Sequence, residues 1–317
     1  SMAILVNIDY LRSLVPANAV NQARIMIDQS KNTYAHGIAM SAAGMIILSP
    51  DTLLLRLIDH AAFWDVLFYR SIFIFVALLA YLAVRSRGRI VGTLRKMGRP
   101  GLIATLLMTT SNITFVGAIA NTSVANALVI LATMPFFGAV LGWLIIGEQV
   151  NSRTRISVLL AVAGIVVIFS GSLGQVNWFG DVLAIVTAFL MGLNLVILRK
   201  YKGSGVIAPA FCLSGLTVAL ISFPLANPAQ VSSGDLYVLM LMGLVVVPVA
   251  MVLFFGGADH APAAEVALLS LIETVLGPFW VWLGVGEPIT RLTLIGGAIV
   301  ILAVAGNAWF GMRAARS

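Results

Sequence analysis

The chain has 317 residues, of which 60% are hydrophobic and only 10% are charged, against roughly a quarter charged in an ordinary soluble domain. A mean hydropathy of +1.04 excludes a soluble fold built on one water-excluding core, so lipid must solvate most of the chain. The net charge of +7 does not mark a nucleic-acid partner, because the Lys and Arg residues fall in short gaps between apolar runs and read as topology signals.

Residues 1–32 carry Asp9, Arg12, Arg24, Asp28 and Lys31 and contain no long apolar stretch. They read as a cytoplasmic leader rather than a cleaved signal sequence. Apolar segments follow at about 33–49, 62–83, 101–120, 124–146 and 156–172, and again at about 178–198, 206–225, 235–256, 263–285 and 293–311. Each is long enough to cross a bilayer as a helix. Alternating polarity, which a membrane barrel requires, is missing from runs such as Leu128–Ile146, so strands are not expected. The predicted fold is an all-α membrane protein of ten transmembrane helices, organised as a leader over 1–32, one five-helix unit over 33–172 and a second over 178–312.

Alternate gaps carry the positive charge. Arg85, Arg87, Arg89, Arg95, Lys96 and Arg99 share one gap, Arg153 and Arg155 another, and Arg199, Lys200 and Lys202 a third. Cytoplasmic loops hold such an excess, so these gaps and both termini are placed in the cytoplasm of a bacterial inner membrane. The gaps holding Asn121, Thr122 and Ser123, then Asn177 and Asp181, then Asp235 should face outward.

The chain matches itself. A shift of 139 residues lays Trp143 on Trp282, Leu144 on Leu283, Gly147 on Gly286 and Glu148 on Glu287, so the group Trp-Leu-x-x-Gly-Glu closes the fourth span of each half. Gly138 falls on Gly277, and with a slightly different offset Arg56 falls on Arg199. Five spans per unit is an odd number, so the second copy enters the membrane from the opposite side, giving inverted repeats of the kind that support alternating access.

Two halves of five spans, with Gly147-Glu148 and Gly286-Glu287 closing the fourth and ninth, resemble the EamA type of the drug/metabolite transporter superfamily over residues 33–312. The chain looks most like the YddG-type amino-acid exporters of that group. The resemblance implies a multi-pass exporter of amino acids, drugs or other small metabolites, working without a cofactor.

Polar groups in lipid-facing helices are costly, so those near the midplane are expected to face a cavity or a neighbouring helix. Glu273 lies ten residues into the ninth span, about 15 Å deep at about 1.5 Å per residue. It can hold a proton or pair with a cationic group of a solute, or else bond a neighbouring helix. Asn112, Asn126, Thr133, Asn194 and Ser270 offer directed hydrogen bonds to a solute, and each is equally readable as interhelical glue. Arg70, about 12 Å into the second span, is assigned either to solute or to gating. Pro135 with Gly138 and Gly277 with Pro278 are expected to break the fourth and ninth spans at matching levels, marking hinges or gates. Phe136, Phe137, Phe279 and Trp280 cluster beside these breaks as a candidate cavity lining, with Trp280 the one assigned to solute.

Cys212 stands alone, and His36, His60 and His260 are scattered, so no metal or disulfide framework is assigned. A catalytic constellation for an intramembrane enzyme is not found, and the chain is read as a non-enzyme. A channel is the remaining rival, distinguished from a carrier by the absence of saturable counterflow.

Overall fold

The computed structural model describes residues 17–122, 124–170, 178–202, 205–227, 231–286 and 291–314, and these are helical throughout with short connections and no strand among them. The helices are α1 (Ala17–Leu48), α2 (Asp51–Arg56), α3 (Phe63–Arg85), α4 (Ile90–Lys96), α5 (Gly98–Asn121), α6 (Val124–Leu131), α7 (Met134–Ile146) and α8 (Ser152–Ser170) in the first half. The second half holds α9 (Trp178–Lys200), α10 (Ile207–Ser222), α11 (Ser233–Leu241), α12 (Val247–Gly256), α13 (Ala263–Leu269), α14 (Leu271–Val285) and α15 (Arg291–Ala314).

Among the described residues the apolar segments of the sequence are helical apart from turns at their ends and breaks. Eight spans among the described residues are long and apolar enough to cross a membrane: 33–56, 63–85, 98–121, 178–200, 207–225, 233–259, 263–285 and 294–311. The helices over 124–146 and 152–170 fall outside that set. Helix α1 runs unbroken from Ala17, so half of the leader is continuous with the first span. Many large side chains stay exposed along the helix flanks, among them Leu106, Leu159, Leu220 and Leu302; in water such a surface aggregates, whereas lipid solvates it.

Two breaks interrupt otherwise continuous spans. Between α6 and α7 the chain turns at Ala132 and Thr133, where the backbone N–H and the hydroxyl of Thr133 both donate to the carbonyl of Ile130, at 2.9 and 2.6 Å. Between α13 and α14 it turns at Ser270, which donates the same two bonds to Ala267, at 3.1 and 2.7 Å. A hydroxyl bonded to a carbonyl three residues back satisfies an acceptor that the interrupted helix would otherwise orphan. The first break precedes Pro135, as expected, since proline at the start of a helix has no N–H to leave unbonded. The second was expected at Gly277 and Pro278 but occurs at Ser270, and α14 continues through both residues. The side chain of Pro278 lies outside the described residues.

The repeated group at the ends of α7 and α14 has a local cause. Gly147 and Gly286 sit at φ +68° and +74°, the left-handed region where a Cβ is penalised, and their N–H groups close the helices onto Trp143 and Trp282 at 3.1 and 3.0 Å. Both tryptophans are exposed, in keeping with rings that anchor span ends at a lipid interface.

Helices pair mainly across the halves. Among the heavier contacts are those joining α8 to α15, α5 to α9, α3 to α10, α1 to α12, and α7 to α13. Exchange the halves, matching first span with sixth and so on in order, and this set of pairs maps onto itself.

A polar cavity between the two halves

A cavity lies where the halves meet. Its charged and amide lining residues are Asp51 on α2, Arg70 on α3, Asn112 on α5, Asn194 on α9 and Glu273 on α14, and Ser270 borders it from the second helix break. Its empty volume, with the open mouth included, is about 840 Å³. Ser111 and Thr274 add two hydroxyls, and the remainder of the wall is apolar.

An ion pair organises one wall. Arg70 and Asp51 are only 4% and 1% exposed, and the guanidinium Nη2 donates to Asp51 Oδ2 at 2.9 Å. Its Nη1 donates to Asn112 Oδ1 at 3.1 Å, and Asn112 passes the network on by donating to Ser71 Oγ at 3.3 Å. The guanidinium also lies over the ring of Phe115, 5.8 Å from its centroid. Asp51 escaped the sequence reading because the first apolar segment ends two residues before it. The signal that could have found it is Arg70 itself: an arginine so deep in a span requires a counter-charge, and Asp51 is a carboxylate at the matching end of a neighbouring span.

Around this pair several polar atoms have no partner. Asp51 Oδ1, Arg70 Nε, Thr52 Oγ1 and both amide atoms of Asn194 are buried without a hydrogen bond. Unsatisfied buried groups cost about 1–3 kcal/mol each, a cost that folded proteins tolerate where a ligand or solvent completes the bonding.

The other sequence candidates lie elsewhere. Thr133 is occupied at its own helix break and does not border the cavity. Trp280 donates to Ser49 Oγ at 2.7 Å, tying α14 to the end of α1 instead of lining the cavity. Gly138 and Gly277 are contact points: a Cβ would come within 3.2 Å of Ala267 at the first and of Leu128 at the second. Phe136 and Phe279 are turned to the exposed surface. The side chain of Asn126 lies outside the described residues.

A second polar cluster sits at the end of the bundle bearing the Arg- and Lys-rich loops. Arg153 donates to Glu265 Oε1 at 2.6 Å and to Asn307 Oδ1 at 3.2 Å. Tyr34 donates to the other oxygen of Glu265, and Thr154 bonds Asn307 at 3.2 Å. Next to it Glu148, of the repeated Gly-Glu group, accepts from Arg199 at 2.8 Å and from the backbone N–H of Ala263 at 3.3 Å. Arg199 also donates to the carbonyl of Ala258 at 3.2 Å. This end of the molecule is thus tied shut by side chains from both halves.

Two tandem segments, residues 35–170 and 178–309, match the EamA-like transporter family. The chain belongs to that family. The eight apolar spans among its described residues make it a multi-pass membrane protein. An uncharacterized transporter of Clostridium kluyveri is 23% identical over 197 residues, a match covering 58% of this chain and 63% of that protein, so the chain spans less than two thirds of this relative's length. A crystal structure of a protein 16% identical in sequence superimposes with a TM-score of 0.73, over 87% of this chain and 98% of the other. That likeness concerns the fold. Among the described residues no cluster of His, Cys, Asp and Glu is fit to hold a metal.

Proposed function

We propose that this EamA-like transporter exports amino acids with aromatic or other neutral side chains, or similar small metabolites, by alternating access across a bacterial inner membrane. In this reading ten spans form two inverted five-helix repeats with both termini in the cytoplasm. The observation that carries it is the cavity at the meeting of the halves, lined by polar groups from each. A site at such an interface can be opened to either face by rocking one half against the other. The helix breaks at Thr133 and Ser270, matched within about two residues by the internal repeat, supply hinge points in the two spans that approach each other. Ser270, Asn112, Asn194 and Glu273 are the groups assigned to solute in this reading, and Arg70, held by Asp51, orients Asn112 directly.

The test is counterflow in proteoliposomes with a panel of labelled amino acids. Saturable, trans-stimulated uptake of neutral or aromatic members supports the carrier. Linear, unsaturable flux marks a channel instead and overturns alternating access. Replacing Glu273 by Gln should abolish any pH dependence of the flux, and an unchanged pH profile removes the carboxyl from coupling.

A further inference from the structure

Resting on that carrier reading, the geometry points to a cargo recognised through its cationic end at Glu273, with no arginine set aside for a carboxylate.

The argument is one of charge balance. Three charged side chains line the cavity: Asp51, Arg70 and Glu273. The single positive charge is already committed. Arg70 is paired with Asp51 at 2.9 Å and bonded to Asn112 at 3.1 Å, and both members of the pair are almost wholly buried. Only the Arg70 Nε is left without a partner, so a solute carboxylate could take the Nη pair only by displacing Asp51 and Asn112, stranding a second carboxylate in a medium that penalises unpaired charge heavily. The Glu273 carboxylate has no ion pair and no hydrogen bond among the described residues, its backbone N–H alone being bonded, to the carbonyl of Ser270. With all three groups ionised the cavity therefore carries an excess of one negative charge, which a monocation neutralises.

Unmet bonding capacity accommodates the same partner. Asp51 Oδ1 and Asn194 Oδ1 are acceptors without donors, which a primary ammonium, with three donors and no acceptor, can satisfy, while Arg70 Nε and Asn194 Nδ2 are donors left open to an acceptor elsewhere on the solute. The apolar wall describes the rest of the cargo. Met45, Met108, Met134, Met191 and Met251 all border the cavity, and flexible thioethers repack around apolar bodies of differing shape. The class of ligand is thus a primary amine on a compact apolar body, in which a carboxylate is tolerated but not required.

Three probes that share one apolar body separate the possibilities: phenylalanine, 2-phenylethylamine and 3-phenylpropionate, titrated calorimetrically into the full chain in lipid nanodiscs. The expected result is that the amine binds at least as tightly as the amino acid and the acid shows no binding. Glu273→Gln should weaken the amine by about tenfold or more, the value of a hydrogen bond to a charged group, while Glu273→Asp, which keeps the charge, retains most of the affinity. Unchanged melting temperature and gel-filtration profile identify the loss as local. Binding of the acid without the amine overturns the inference and hands the cargo to Arg70. So does undiminished amine binding by Glu273→Gln, or binding of none of the three. The carrier reading is judged separately by counterflow, so either can fall while the other stands.

Discussion

The central cavity and the cluster at the Arg- and Lys-bearing end are built from the same residue types, yet they are bonded in opposite ways. At the end cluster each carboxylate is fully engaged: Glu265 receives Arg153 and Tyr34, and Glu148 receives Arg199 and the backbone of Ala263. In the cavity the Glu273 carboxylate has no hydrogen-bond partner among the described residues, and the Asn194 side-chain amide and one oxygen of Asp51 are buried without one. Satisfied networks rigidify, whereas unsatisfied ones carry bonding capacity for something that comes and goes. The difference separates a closed network from one with bonding capacity to spare, without reference to any bound molecule.

Mutation can break or sharpen this contrast. The largest effect is expected from Asp51→Ala, which leaves Arg70 buried and unpaired. A loss of about 3–5 kcal/mol should appear as a sharply lowered melting temperature in detergent, and native stability would mean that the pair does not organise the wall. Next comes Glu265→Ala in the end cluster. Arg153 is 22% exposed and can turn to water, so the loss should be nearer 2 kcal/mol, read in the same melt. If the cluster is a latch, the variant should also make a cysteine placed at residue 154 more reactive to a water-soluble thiol reagent. A smaller cost, about 1 kcal/mol, is expected for Gly147→Ala or Gly286→Ala from the positive φ that each glycine holds. The two variants should be alike in thermal melts, because both glycines close the same element of the repeat. Least in magnitude, and opposite in sign, is Asn194→Leu. Removing an unsatisfied buried amide should leave stability unchanged or slightly higher while lowering solute binding and flux. A variant that melts later and transports less would set the cavity apart from the scaffold most cleanly.

Much of the architecture could be read from the sequence because lipid imposes a simple code: uncharged runs of spanning length, interrupted by charged gaps, leave few alternatives to helices. The repeated Trp-Leu-x-x-Gly-Glu group was also legible, since a left-handed cap demands glycine. The cavity was harder. Depth along a span follows from counting residues, and it singled out Glu273, Asn112, Asn194, Ser270 and Arg70, all of which border the cavity. Direction around the helix axis does not follow, because a helix that is apolar on every side has no polar stripe to orient it. Hence Thr133 and Trp280, at plausible depths, point to a helix break and to Ser49 instead. The second break was misplaced for a related reason. Gly277 and Pro278 are the residues that usually interrupt helices, but the hydroxyl of Ser270, able to bond the carbonyl of Ala267, marks where the interruption occurs.

The pairing of helices across the halves has a consequence for how this protein comes to exist at all. Since the heaviest contacts of α1, α3, α5, α7 and α8 are all with helices of the other half, neither repeat owns an interior of its own. A chain severed between Ser170 and Trp178 should yield fragments that survive only when made together, and synthesis of the first half must await the second before either has anything to pack against.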